Sequence, residues 1–328
     1  MESKKRIRIA AQFLFAGLLL LAAVFHLGAA LLAGLFSYTI LDMTNRRLTY
    51  RAPRRGARWL SLGIFILASS FLGGVFWFFV RQTVVTVPSL LADLVPKLAA
   101  LARHYHVPMP FDNINELREA VLYFTRENVS EITHASGLLT RQFFHVAIGI
   151  FVSILCFMSD APEGPFSSNL YDVLRGEFNE RISRFMRSFE RMLSAQVTIS
   201  GINTFLTAIF LVMTGFPHIT FLIPATFVLG ILPIIGNVLS NTIIVSTGLT
   251  LSAKHAILAL IFLVAIHKGE YLLNSRIMGA SFRIPMWQVL LGILVGEVVL
   301  GVPGIVLAPA VLHYIREEMQ SIPVEDAA

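Results

Sequence analysis

Apolar residues run in long blocks along this chain, separated by short polar or charged segments. Residues 9–43 form the first block, 35 positions with only Gln12, His26 and Asp42 as notable polar interruptions. A membrane-spanning helix needs about 20 mostly apolar residues, so the block is too long for one span and short for two. Its flanks decide the count. Lys4-Lys5-Arg6-Ile7-Arg8 precedes it, and residues 45–58 follow it with six Arg and no acid. Basic segments at span ends stay cytoplasmic, so both flanks lie on one side and the block crosses twice, turning near His26-Leu27-Gly28. A cleaved signal peptide would show a small-x-small site after an isolated apolar core, and none follows. A third span, 59–80, then emerges on the outer side, giving three spans within 8–80.

Residues 81–141 carry six Lys/Arg and six Asp/Glu, enough polarity to leave the bilayer. Leu90, Leu91, Leu94, Leu98 and Leu101 recur at helical spacing behind Pro88, a residue suited to a first turn. Val107-Pro108-Met109-Pro110 ends that helix, and Asn113 with Glu116 reads as a capping box for another. The pattern predicts a small helical layer on the outer face. A fourth span, 142–158, returns to the inside. In the next segment, 159–194, Phe178, Ile182, Phe185, Phe189 and Met192 share one helical face. Arg181, Arg184, Arg187 and Arg191 form a separate basic stripe. Such a helix suits the inner membrane surface, with Phe among acyl chains and Arg at anionic headgroups. The alternative is that it packs on the protein's own cytoplasmic side; neither reading favours nucleic acid.

Residues 195–316 are almost continuously apolar, but two stretches are interrupted, by Leu232-Pro233-Ile234-Ile235-Gly236-Asn237 and by Gly301-Val302-Pro303-Gly304. Such breaks free backbone groups that lipid cannot satisfy, so they must face protein or water. Transporters commonly build substrate sites from paired broken helices. Pro233, Gly236, Asn237, Gly301, Pro303 and Gly304 are therefore pathway candidates, either as broken spans or as re-entrant hairpins. The whole chain, 1–328, reads as one all-α polytopic membrane domain of about eight hydrophobic segments, with both termini cytoplasmic.

Composition agrees. The chain is 55% hydrophobic and 14% charged, with mean hydropathy +0.72, against about 45–50% and 25% for soluble domains. One cysteine, Cys156, excludes a disulfide framework, a Cys-based zinc site and an iron–sulfur cluster within a single chain. The scarcity of charge also selects candidates. Of twenty acids, only Asp42, Glu270 and Glu297 flank or sit within apolar segments. A carboxylate at mid-membrane costs about 2.5–3.5 kcal/mol, so it usually faces a partner or a cavity. Glu270 shares a helical face with His267, and Arg276 lies one or two turns on. Glu297 follows Gly292 and Gly296, a small-xxx-small pattern that permits close helix approach. The plainer alternatives are a solvated span-end residue for Glu270 and a buried ion pair for Glu297. Asp42 is expected to pair with Arg46. His104 and His106 lack a nearby acid pair, and no metal site is expected. No His-Glu-x-x-His, Gly-x-x-x-x-Gly-Lys or Gly-x-Ser-x-Gly motif occurs, so neither an enzyme nor a cofactor is expected.

The C-terminal half resembles a known family. Arg191-Met192-Leu193-Ser194-Ala195-Gln196, Gly215-Phe216-Pro217, Leu232-Pro233-Ile234-Ile235-Gly236, Glu270, Arg276-Ile277-Met278-Gly279, Ile284-Pro285 and 301–309 follow, in order and spacing, the pattern of the autoinducer-2 exporter family of bacterial inner-membrane proteins. The resemblance implies a multi-pass transporter that assembles as a homo-oligomer in the lipid bilayer. It also implies a small solute or ion as cargo. Members of that family are associated with export of a quorum-sensing furanosyl signal or with sodium/proton antiport. This chain departs from the pattern at Asn237, at Asn274-Ser275 and at Glu297. Three functions follow as expectations: gradient-driven export of a small polar organic solute, cation/proton antiport, or a non-transporting membrane scaffold.

Overall fold

In the computed structural model the described residues are 2–51, 53–106, 113, 115–119, 123, 129–159, 169–233, 235–277 and 284–322. They form α1 (Glu2–Val24), α2 (Gly28–Leu48), α3 (Arg54–His104), α4 (Val129–Met158), α5 (Leu170–Met213), α6 (Ile219–Gly230), α7 (Ile235–Leu251), α8 (Ala253–Ile277), α9 (Met286–Leu300) and α10 (Val302–Gln320). No strand occurs among the described residues. Four helical segments, Arg6–Val24, Arg54–His104, Thr140–Met158 and Leu170–Met213, are long and apolar enough to cross a membrane. The protein is an all-α, polytopic membrane protein. Its chain forms two compact units: unit 1 holds Met1–Ala68, Leu139–Ser194 and Phe282–Ala328, and unit 2 holds Ser69–Leu138 and Ala195–Ser281.

Unit 1 is organised by α10 lying antiparallel along α1. Arg8 Nη2 donates to Ser321 O at 3.1 Å and to Ser321 Oγ at 2.9 Å, and Gln12 Nε2 donates to Glu318 Oε1 at 2.9 Å. Phe15 packs on Tyr314, ring centroids 5.1 Å apart. At the far end, a Cβ on Gly28 would stand 2.8 Å from Leu300 O and 3.3 Å from Pro303 Cβ. The antiparallel register thus keeps step from Arg8 to the start of α2. The second apolar break is a tight reversal between α9, 15 residues long, and α10, 19 residues long. Gly301 makes it, with φ 69° and ψ −151°, a region essentially reserved for glycine. α9 and α10 then meet backbone to backbone: a Cβ on Gly304 would lie 1.8 Å from Gly296 O.

The aromatic face of α5 packs into this unit. Phe185 and Phe189 are buried, and Phe185, Phe15 and Tyr314 form one cluster with Phe178 and Ile182 against it. The helix therefore covers the protein's own flank, the second of the two placements its pattern allows. Two of its arginines turn inward. Arg181 is only 2% exposed; its Nη1 donates to Glu177 Oε2 at 2.8 Å and its Nε stands 3.5 Å from Glu318 Oε1. Arg184 Nη1 donates to Glu318 Oε2 at 3.1 Å and also bonds Glu180. Glu318, 8% exposed, is thus the shared acceptor that ties α1, α5 and α10 together. Arg187 and Arg191 remain exposed. Asp42 pairs with Arg46 at 3.2 Å, and Arg46 also reaches Glu190 at 2.6 Å.

In unit 2, helices α6, α7 and α8 fold back on one another beside the second half of α5. Leu211, Phe216, Phe221, Leu222, Ile244, Ala259 and Leu263 form its core. Two boundaries differ from the sequence pattern. Pro88 does not begin a helix; α3 runs 51 residues through it and through Pro96. Proline's fixed φ is helical, so what it costs is one backbone bond and some crowding, and nearby side chains stiffen the region: Gln82 Nε2 bonds Thr86 Oγ1 at 3.0 Å, and Ser89 Oγ bonds Thr86 O at 2.8 Å. Likewise α5 runs 44 residues without a stop between its amphipathic half and its apolar half. Nothing between Arg191 and Val197 breaks a helix, because the change there is in hydropathy alone. Asn113 acts as a helix cap as its spacing suggests, with Oδ1 accepting from the N–H of Asn115 and of Glu116 at 2.9 and 3.0 Å. The residues of Val107-Pro108-Met109-Pro110 lie outside the described residues.

Gly304→Ala is expected to destabilise the purified protein strongly, by at least the roughly 1–3 kcal/mol of core overpacking, because backbone cannot yield as a side chain can. Gly17→Ala, with open space around it, should not lower the thermal midpoint in detergent. Glu318→Gln removes the buried partner of two arginines and should cost about 3–5 kcal/mol, read as a lowered midpoint in the same assay.

Candidate functional site

At the first apolar break the last four carbonyls of α6 all find partners. Helix α6 is only 12 residues long and ends at Gly230. Its last four carbonyls need partners that lipid cannot give. Phe227 O accepts from Ser200 Oγ at 2.8 Å, and Gly230 O accepts from Gln196 Nε2 at 2.7 Å. Val228 O and Leu229 O accept from the N–H groups of Ile231 and Leu232, at 3.4 and 2.8 Å. Two polar side chains of α5 therefore cap a helix they do not belong to. Pro233 follows, with no N–H to leave unpaired. Gly236 then lets α7 start directly against α6, since a Cβ there would lie 1.7 Å from Leu229 O.

That geometry delivers Asn237, in the first turn of α7, to Glu270 on α8. Asn237 Nδ2 donates to both carboxylate oxygens at 3.0 Å, and Asn203 Nδ2 of α5 donates to Oε2 at 3.2 Å. His267 Nδ1 stands 3.8 Å from Oε2, its ring largely exposed, while the Glu270 side chain is 13% exposed. Hydrogen bonds to a charged group are worth about 1.5–3 kcal/mol each, enough together to offset the cost of a carboxylate at depth. On α5, Arg191 is the last charged residue and Asn203 lies twelve residues beyond, about 18 Å at 1.5 Å per residue, whereas on α8 the exposed Lys268 stands two residues before Glu270. Beside the carboxylate is a cavity of about 20 Å³ lined also by Thr207, Thr226, Ser240 and Asn241. Ser240 Oγ donates to Thr226 Oγ1 at 3.3 Å, and Thr226 in turn donates to Leu222 O at 2.8 Å.

Of the candidates read from sequence, Pro233, Gly236, Asn237 and Glu270 come together here. Arg276 lies on α8, with its side chain outside the described residues. Gly301, Pro303 and Gly304 belong to the α9–α10 reversal in unit 1. Gly292 and Gly296 pack α9 on α10 of the same chain; a Cβ on Gly292 would meet Leu312 at 2.5 Å. Glu297 is exposed on α9 and belongs to unit 1, whereas Glu270 belongs to unit 2. Among the described residues, no group of three or more His, Cys, Asp or Glu is placed to hold a metal ion.

Asn203 escaped sequence reasoning, which searched for charge and for breaks. A signal was present: Gln196, Ser200, Asn203 and Thr207 recur at intervals of four, three and four, a polar stripe down an otherwise apolar helix.

Comparison with known proteins agrees with this architecture. The "Putative transport protein YdbI" of Bacillus subtilis (strain 168) is 28% identical over 149 residues, which is 44% of this chain. The matched stretch spans 42% of that protein's length. The family description "AI-2E family transporter" matches residues 9–323, nearly the whole sequence. By that match over nearly its whole length, this chain belongs to the AI-2E family of membrane transporters.

Proposed function

We propose that this protein is a gradient-driven secondary transporter whose coupling step is the binding of a proton or a small alkali cation at Glu270. The observation that carries the reading is a carboxylate held deep in unit 2 by Asn203 and Asn237, next to a polar void of about 20 Å³. That volume suits one water or a bare cation. Amide and hydroxyl oxygens beside a carboxylate are the ligands hard cations prefer. Protonating Glu270 would remove the charge that both amides now bind. Proton and cation therefore compete for one site, which is what exchange requires.

Export of a small polar organic solute, such as a quorum-sensing signal, would draw on the same coupling site, but its cargo needs a larger chamber than the one at Glu270. A non-transporting scaffold leaves a hydrogen-bonded carboxylate at this depth without a role. The arginines after α2 support cytoplasmic termini in a bacterial inner membrane, by the same positive-inside argument as the sequence. Assembly as a homo-oligomer rests on the family resemblance, because the Gly292–Gly296 face is occupied within the chain.

In proteoliposomes loaded with a pH-sensitive dye, an imposed sodium or potassium gradient should drive proton flux. Glu270→Gln should lower that flux by at least about tenfold, since a neutral group neither holds the cation nor carries the proton. Asn237→Ala and Asn203→Ala should weaken it, and Glu297→Gln, on an exposed position, should keep it within about twofold. Wild-type flux in Glu270→Gln would overturn the assignment, and a wild-type protein that moves no ion or solute from a panel would favour the scaffold.

A further inference from the structure

Unit 1 contains a second cavity, much larger than the void at Glu270 and unrelated to it. Helices α2 and α4 run parallel and touch backbone to backbone, for a Cβ on Gly149 would lie 2.2 Å from Ala30 O and one on Gly34 3.2 Å from Gly149 O. With α5 they enclose a groove of about 660 Å³, within the roughly 300–1,000 Å³ of small-molecule sites. Its two ends differ. One is walled by Leu31, Leu35, Ile148 and Val152, and the other is rimmed by Asp42, Arg46, Arg187 and Glu190.

The rim has a definite charge pattern. Arg46 lies between two acids, 3.2 Å from Asp42 and 2.6 Å from Glu190, so that group of three carries one excess negative charge. Arg187 is exposed three residues before Glu190 on α5, and among the described residues it has no hydrogen bond or ion pair. An excess anion and an unpaired guanidinium thus sit one helical turn apart at the mouth of an apolar groove. The complement of that arrangement is a zwitterion on a hydrocarbon chain.

We propose that this groove binds one phosphatidylethanolamine molecule from the adjoining leaflet. Its primary ammonium, with three N–H donors, sits on Asp42 and Glu190, and its phosphodiester takes the fork of Arg187. One acyl chain lies along the α2–α4 wall. Phosphatidylcholine carries the same charges but has no N–H to donate, and phosphatidylglycerol has no cation, so the rim discriminates against both.

The chain's single cysteine, Cys156, is exposed and lines this groove, which makes it a built-in reporter. The full-length protein in dodecyl maltoside micelles is reacted with N-ethylmaleimide while dioleoyl-phosphatidylethanolamine is added. Labelling should slow at least about fivefold at saturation by mass action, and the matching glycerol and choline lipids should leave it within about twofold of the lipid-free rate. Native mass spectrometry should show one retained phosphatidylethanolamine. Arg187→Gln and Glu190→Gln, both at the rim, should each raise the lipid needed for half protection by about tenfold. Equal protection by all three lipids would mean that any acyl chain fills the groove and would overturn the proposal. So would no protection by any of them, or protection unchanged in both variants.

Discussion

The breaks in the apolar stretches answer one constraint: hydrocarbon offers no hydrogen bonds, so a helix that ends inside it must be finished by other protein groups. At the end of α6 those groups are Gln196 and Ser200, reaching across from α5 to the carbonyls of Gly230 and Phe227. Without them the break at Leu232–Pro233 would leave bare carbonyls at depth, each costing several kcal/mol. With them the chain can turn, and the turn is what brings Asn237 to Glu270. Site and scaffold are therefore one arrangement. On one stripe of α5, Gln196 and Ser200 close a neighbouring helix and Asn203, further along, binds a carboxylate.

The two reversals solve the constraint differently. The α6–α7 turn uses borrowed side chains, and proline removes a donor that would otherwise need a partner. The α9–α10 turn uses conformation: Gly301 adopts a backbone state closed to other residues, Gly301 N bonds Glu297 O at 2.7 Å and Gly304 N bonds Gly301 O at 2.8 Å. Close glycine contacts flank both turns, at Gly236 on Leu229 and at Gly304 on Gly296. Without a hydrophobic drive between helices in lipid, such backbone contact supplies the packing. The first reversal lies beside a polar void of about 20 Å³, and the second beside a backbone contact between two glycines.

Sequence patterns marked the helices, both breaks and Glu270 as a candidate, because each leaves a local mark: apolar length, proline with glycine, or charge where charge is rare. Asn237 was visible as a departure from the family pattern, and the structure makes it the main partner of Glu270. Helix ends were less legible. The passage from an amphipathic to an apolar face within α5, and the prolines within α3, do not stop a helix, so no local rule marks them. The direction of Arg181 was hidden for another reason. Its partner Glu318 is far away in sequence, and a basic stripe reads the same whether it faces headgroups or a buried acid.

The pairing of α1 with α10 has a kinetic side. Arg8 and Gln12 find their partners 313 and 306 residues further along the chain. When α1 first enters the membrane its polar positions have nothing to bind, and unit 1 cannot close until the last helical pair has been made. Long loop closures of this kind are slow. Through most of synthesis, then, the nascent chain holds an unfinished first unit open, because the partners of Arg8 and Gln12 are among the last residues to be made.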